Sequence, residues 1–144
     1  MNIEIGNDLK LRLFGFSAPV PNFNFGEVGI SLCDKLWSVV REHHLSHDGI
    51  NIWVYDAQLK MFSGVAIDPA PSESYGLEEK QLHFRKYAWY KHIGPYRFLK
   101  DANASMRQQL ESMGLQYGPP SLEIYGHHFA DENKLETEIV YTLK

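Results

Sequence analysis

Tyr87-Ala88-Trp89-Tyr90-Lys91-His92-Ile93-Gly94-Pro95-Tyr96 is the stretch on which the reading of this chain turns. It reads as an aromatic strand, Leu82 to His92, that runs through Gly94-Pro95 into a helix. Proline is tolerated at such a start because its missing N–H would have no partner in the first turn. Leu99, Ala102, Met106, Leu110 and Met113 recur at three- and four-residue spacing, the buried stripe of an amphipathic helix, and Gly114 ends it. Pro119-Pro120 resets the chain for a strand over Ser121 to His127. Asp131-Glu132-Asn133 turns it, and Leu135 to Leu143 is the closing strand. The order is strand, helix, strand, strand.

Upstream the same plan is already present. Leu9, Leu11 and Leu13 alternate as in a half-buried strand. Pro19, Pro21 and Gly26 break it, and Ile30, Cys33, Trp37 and Val40, flanked by Leu36 and Val39, set a helix over about Val28 to Leu45. Asp48-Gly49 stops that helix. Ile50, Ile52 and Val54 then alternate with Asn51, Trp53 and Tyr55, and Asp56-Ala57-Gln58 turns the chain into Met61 to Ile67. The fold expected is α+β: one domain built as a tandem pseudo-twofold repeat of two strand-helix-strand-strand modules, about 9–68 and 81–143, joined by a linker at 69–80. One helix per module is too little to cover a sheet alone, so the modules must share a sheet or a core. The Pro- and Ser-rich linker is either a solvated crossover or a lid centred on Tyr75.

The repeat lets strand faces be compared. Aligning Ile52-Trp53-Val54-Tyr55 with Leu122-Glu123-Ile124-Tyr125 sets Trp53 opposite Glu123 and Tyr55 opposite Tyr125. Side chains alternate across a strand. If the aliphatic residues pack under the helices, Trp53, Tyr55, Glu123 and Tyr125 share the other face and wall a cleft between the modules. A lone carboxylate among apolar residues turns to solvent, pairs with Lys91 or Arg85, or awaits a cation from outside, because an unpaired buried charge is costly.

The other signals are weaker. His43 and His47 have the i,i+4 spacing of a helical metal site but lack the intervening Glu and any further ligand nearby, so a polar helix end accounts for them better. No cofactor motif, nucleophile elbow or phosphate loop is present. A single Cys33 forms no internal disulfide. The net charge of −4 and scattered Lys and Arg argue against direct nucleic-acid binding and mildly favour cationic ligands. No apolar run approaches the roughly 18 residues of a membrane helix. The N-terminus lacks signal-peptide regions, so a cytoplasmic location is expected.

The Tyr87–Tyr96 stretch, with Pro120-Ser121-Leu122-Glu123-Ile124-Tyr125 and Thr137-Glu138-Ile139-Val140-Tyr141-Thr142-Leu143 following in order, resembles the GyrI-like small-molecule-binding domains. The likeness is strong across 81–143 and looser over 9–68, where it rests on element order, Leu36-Trp37 and Phe62-Ser63-Gly64-Val65. These domains serve as effector domains of AraC- and MerR-type multidrug regulators and also stand alone. The resemblance implies a ligand cleft between the two modules and Glu123 as the carboxylate that meets hydrophobic cationic small molecules. It implies an aromatic cage drawn from Trp53, Tyr55, Trp89, Tyr90, Tyr96, Tyr125 and Tyr141. Only about eight residues precede the first strand, too few for a helix-turn-helix, so a stand-alone binding module is expected. The alternatives are a hydrolase of cyclopropane-containing electrophiles that uses the same glutamate, and a gyrase-inhibitor-like module with an unknown protein partner.

Overall fold

Alternating apolar residues do produce strands on either side of each helix, and two of them run far longer than the alternation alone marks out. In the computed structural model, which describes residues 1–144, the order is β1 (Glu4–Pro19), α1 (Phe25–Glu42), β2 (Asn51–Asp56), β3 (Lys60–Val65), β4 (Glu78–Ile93), α2 (Leu99–Ser112), β5 (Tyr117–Tyr125) and β6 (Glu136–Leu143). β1 and β4 gain their length by pairing with each other from Glu4↔Trp89 to Gly15↔Glu78. This pairing draws Glu78, Glu79 and Lys80, expected in the linker, into β4.

Within each module the last strand lies between the other two, giving β1-β3-β2 and β4-β6-β5. The β1–β4 and β2–β5 ladders then join the modules, and the six antiparallel strands close into a barrel. Closure leaves no open edge for another strand to pair with. In the β2–β5 ladder Trp53 lies directly across from Glu123, so the pseudo-twofold axis passes between these two residues. Tyr55 and Tyr125, aligned by the repeat, are not cross-strand partners. Antiparallel pairing sets Tyr55 against Ser121 and Asn51 against Tyr125.

Three apolar clusters hold this frame. Leu13, Ile52, Val54, Phe62, Phe84, Leu122 and Val140 fill the barrel. Outside it, α1 seats Leu32, Leu36 and Val40 on Phe14, Phe16, Met61 and Val65. α2 seats Leu99, Ala102, Met106 and Leu110 on Ala88, Ile139, Tyr141 and Leu143. The expectation for the central strands is therefore inverted. Ile52, Val54 and Leu122 point into the barrel, and the Trp53–Glu123 face lies under the helices. In a closed barrel the inner face is the driest, and it takes the aliphatic side chains.

The α1 stripe is also rotated from the one expected. Gly29, Leu32, Leu36 and Val40 are its buried residues, while Ile30 is 59% exposed. The α2 stripe holds as far as Leu110, and Met113 turns to solvent. A helix offers several overlapping three- and four-residue series, and contact with the sheet selects one. Gly29 is selected because the indole of Trp53 lies where its Cβ would be.

His43 stacks on Tyr75 at 3.8 Å between ring centroids, which ties the linker to the end of α1. His47 packs edge-on against Trp37, and its Nδ1 accepts from the Gly49 N–H. No helix is long and apolar enough to cross a membrane.

Candidate functional site

Residues directly paired across antiparallel strands project to the same side. The row through the pseudo-twofold axis is Ser63, Trp53, Glu123, Ile139 and Tyr90. On one side of it run Tyr55, Ser121, Tyr141 and Ala88, and on the other Asn51, Tyr125, Thr137 and His92. These rows form the floor between α1 and α2, with Glu123 at its centre.

Glu123 is only 7% exposed. Tyr55, its diagonal neighbour on β2, and Tyr125, two residues on in β5, both donate their phenol hydroxyls to Oε1, the latter at 2.9 Å. Asn103 of α2 donates its Nδ2 to Oε2 at 3.2 Å. Asn103 is itself oriented, since its Oδ1 accepts from the Tyr141 hydroxyl at 2.8 Å, which in turn accepts from Arg107 at 2.9 Å. None of the chain's six ion pairs includes Glu123. Of the partners considered from sequence, Lys91 pairs with Glu136 at 3.7 Å and Arg85 is exposed. The carboxylate is thus buried against neutral donors only.

Aromatic rings surround this group. Trp53 meets Tyr125 edge-on at 5.2 Å, Tyr96 meets Tyr125 at 5.5 Å, and Phe25 of α1 meets Tyr55 at 5.4 Å. The Trp53 indole is fixed by its N–H bond to Asn51, whose amide is held by Ser63 and the Gly64 carbonyl. Tyr96 is 42% exposed and stands at the rim. A surface hollow of about 520 Å³ lies elsewhere, between Lys10–Arg12 of β1 and Gln81–His83 of β4.

Of the residues singled out from sequence, Glu123, Trp53, Tyr55, Tyr96 and Tyr125 come together. Tyr141 joins through Asn103 and does not reach the carboxylate. Tyr90 shares the face but sits two strands away, packed into the α2 cluster. Trp89 points the other way, into the barrel cluster, and its indole N–H donates to Glu138 at 2.7 Å. Alternation along β4 allows only one of these two neighbours to face the helices. Asn103, Arg107 and Phe25 were not anticipated. Asn103 and Arg107 are polar residues four apart beside the α2 stripe, a pattern that marks a polar contact under a helix but is common on exposed faces too.

Burial, and then the nearby charge of Glu123, hold the Tyr55 and Tyr125 phenols well above the ordinary tyrosine range. Both therefore stay protonated and donating at neutral pH. Burial also raises Tyr141, with Arg107 opposing. A raised folded-state value means stability is complete below the unfolded tyrosine value, near pH 10, and is lost as pH rises above it. Each phenol is expected to remove about 1.4 kcal/mol per pH unit in that window. Denaturant melts from pH 9 to 11 check this: Tyr55→Phe should show a shallower decline than the parent chain, and an identical slope would contradict it.

The domain is thus a closed six-stranded antiparallel barrel with two helices packed on its outer face and a buried carboxylate–phenol cluster under aromatic rings between them. The profile of the GyrI-like small molecule binding domain matches residues 1–144, and the chain belongs to that family. No curated protein sequence matches the chain. Among solved structures it is similar to the EcmrR C-terminal domain, with 14% identity and a TM-score of 0.78 over 99% of this chain and 97% of that one. It covers 57% of the EcmrR chain seen in complex with DNA. It is also similar to SAV2435 bound to tetraphenylphosphonium, with 13% identity and a TM-score of 0.68 over 100% and 94% of the two chains. A hydrolase from Listeria innocua matches with 10% identity and a TM-score of 0.60 over 99% and 91%. Likeness at such identities establishes a shared fold.

Proposed function

We propose that this GyrI-like domain binds hydrophobic organic cations between α1 and α2, as a sensor or sequestering module. Glu123 supplies the counter-charge, and Trp53, Tyr55, Tyr96 and Tyr125 supply the aromatic walls. The observation that carries this reading is the buried Glu123 carboxylate, which has only neutral partners. A cation entering past Tyr96 takes the place of one phenol at the carboxylate. At about 4 Å and an effective dielectric near 20, the attraction is roughly 4 kcal/mol before desolvation. Each ring face adds about 0.5–2 kcal/mol. Phosphonium recognition by SAV2435, on the same fold, agrees with this chemistry.

A thermal-shift series of organic cations, neutral isosteres and organic anions tests it. At a concentration one hundred times Kd a ligand adds about 2.7 kcal/mol of apparent stability. For a chain of this size that raises Tm by roughly 5–11 °C. Cations alone are expected to produce the shift; equal shifts from neutral isosteres would overturn the charge role.

A second reading is favoured by one feature, the pair of protonated phenols beside the carboxylate. Glu123 could act as a general base toward water with Tyr55 or Tyr125 orienting it, and the Listeria innocua hydrolase shares the fold. Turnover of a strained cyclopropane electrophile that disappears in Glu123→Gln would establish hydrolysis.

A further inference from the structure

The Glu123 cluster satisfies its own polar atoms, but its neighbour in the floor does not. Thr137 of β6 is completely buried, and its hydroxyl has no hydrogen-bond partner. Among buried side-chain polar atoms it is the single such orphan. Burying a hydroxyl without a partner costs about 1–3 kcal/mol, so such a group calls for an explanation. Thr137 lies directly across from Tyr125 on one side and His92 on the other. His92 cannot serve it through Nε2, which is engaged with the Pro95 carbonyl at 3.2 Å. Glu123 pairs with Ile139, two residues on in the same strand, so Glu123 and Thr137 are diagonal neighbours on one face, roughly 7–8 Å apart.

Tyr125 connects the two groups. Its hydroxyl caps Glu123, and its backbone pairs with Thr137. Displacing that side chain from the carboxylate also opens the floor beside Thr137.

We propose that Thr137 is a second polar anchor of the cleft. It selects organic cations that carry an oxygen function (hydroxyl, ether or carbonyl) about one aromatic ring from the positive centre. The charge sits on Glu123, and the Thr137 hydroxyl, able to donate and to accept, takes the oxygen. The inference rests on the cation-binding reading above and names the ligand class within it.

The test compares tetraphenylphosphonium with its mono-hydroxylated meta and para analogues by titration calorimetry, on the parent chain, Thr137→Val and Thr137→Ser. At least one hydroxylated analogue should bind the parent chain about three- to tenfold tighter than tetraphenylphosphonium, the gain of one hydrogen bond. Thr137→Val should erase that preference while keeping tetraphenylphosphonium affinity, and Thr137→Ser should retain it. Valine fills the same volume without the unpaired hydroxyl, so its thermal stability should equal or exceed that of the parent. A clear loss of stability would mean the hydroxyl has a partner within the fold, and the proposal falls. Equal affinities of the parent chain for all three phosphoniums would overturn the second anchor and leave the cation site standing. Absence of binding by any phosphonium would overturn both.

Discussion

Replacing Glu123 with Gln is expected to weaken binding of tetraphenylphosphonium by roughly 30- to 1000-fold, about 2–4 kcal/mol, the cost of removing one partner from a desolvated charge pair. The substitution preserves shape and leaves an oxygen to accept from Tyr55 and Tyr125, while its amide nitrogen faces the Asn103 Nδ2 and loses that hydrogen bond, a cost of about 1 kcal/mol. A buried carboxylate that no cation compensates is itself a cost, and its removal offsets this loss. Lower affinity combined with a nearly unchanged Tm is therefore the signature. A variant that binds as tightly as the parent would show that the aromatic walls, and not the charge, hold the ligand. A large fall in Tm would show that the carboxylate is needed to hold the fold.

The second large effect is expected at Gly29. This glycine in α1 occupies the place that Leu99 holds in α2, at the same spacing from the buried residues that follow it. The strand positions are exchanged to match. Bulky Trp53 lies under the helix with glycine, and the smaller Glu123 lies near the helix with leucine. In Gly29→Ala the new methyl group meets the Trp53 ring, which is already fixed by Asn51. The gain in helix propensity of about 1 kcal/mol offsets only part of such overpacking. A net loss of up to about 2 kcal/mol is expected, lowering Tm by as much as roughly 4–8 °C. Ligand affinity should fall as well, because Trp53 must turn toward the cleft. Thermal melts and phosphonium titration of the same variant check both parts. An unchanged Tm would mean that α1 rides up freely and that the packing of Gly29 on Trp53 is not specific.

Gly29 and Trp53 also show where sequence reading reaches its limit. The period of the apolar residues was enough to find two helices and their flanking strands. It did not say which of several stripes on α1 is buried, because Ile30, Cys33 and Trp37 form as good a series as Gly29, Leu32 and Leu36. A glycine in a helix carries no apolar signal at all. It becomes legible only once the indole beneath it is known. The same holds for Trp89 and Tyr90: alternation says that one of them faces the helices, and pairing with β6 selects Tyr90.

The stretch from Tyr87 to Tyr96, the distant Leu122-Glu123-Ile124-Tyr125 and its upstream counterpart Ile52-Trp53-Val54-Tyr55 carried the element order, the internal repeat and the coincidence of Trp53, Tyr55, Glu123 and Tyr125 on one face. These follow from local rules, namely the two-residue period of strands, the helical period, and breaks at Gly and Pro. Which side of the sheet that face looks to was decided by barrel closure, because the aliphatic residues take the interior and the aromatic–carboxylate face is left to the helices. The neutral company of Glu123, the Asn103–Tyr141–Arg107 chain and the unpartnered Thr137 hydroxyl were likewise settled only in three dimensions. Hydrogen-bond partners far apart in sequence are fixed by the register of long-range ladders, and a shift of one residue sends every side chain to the opposite face.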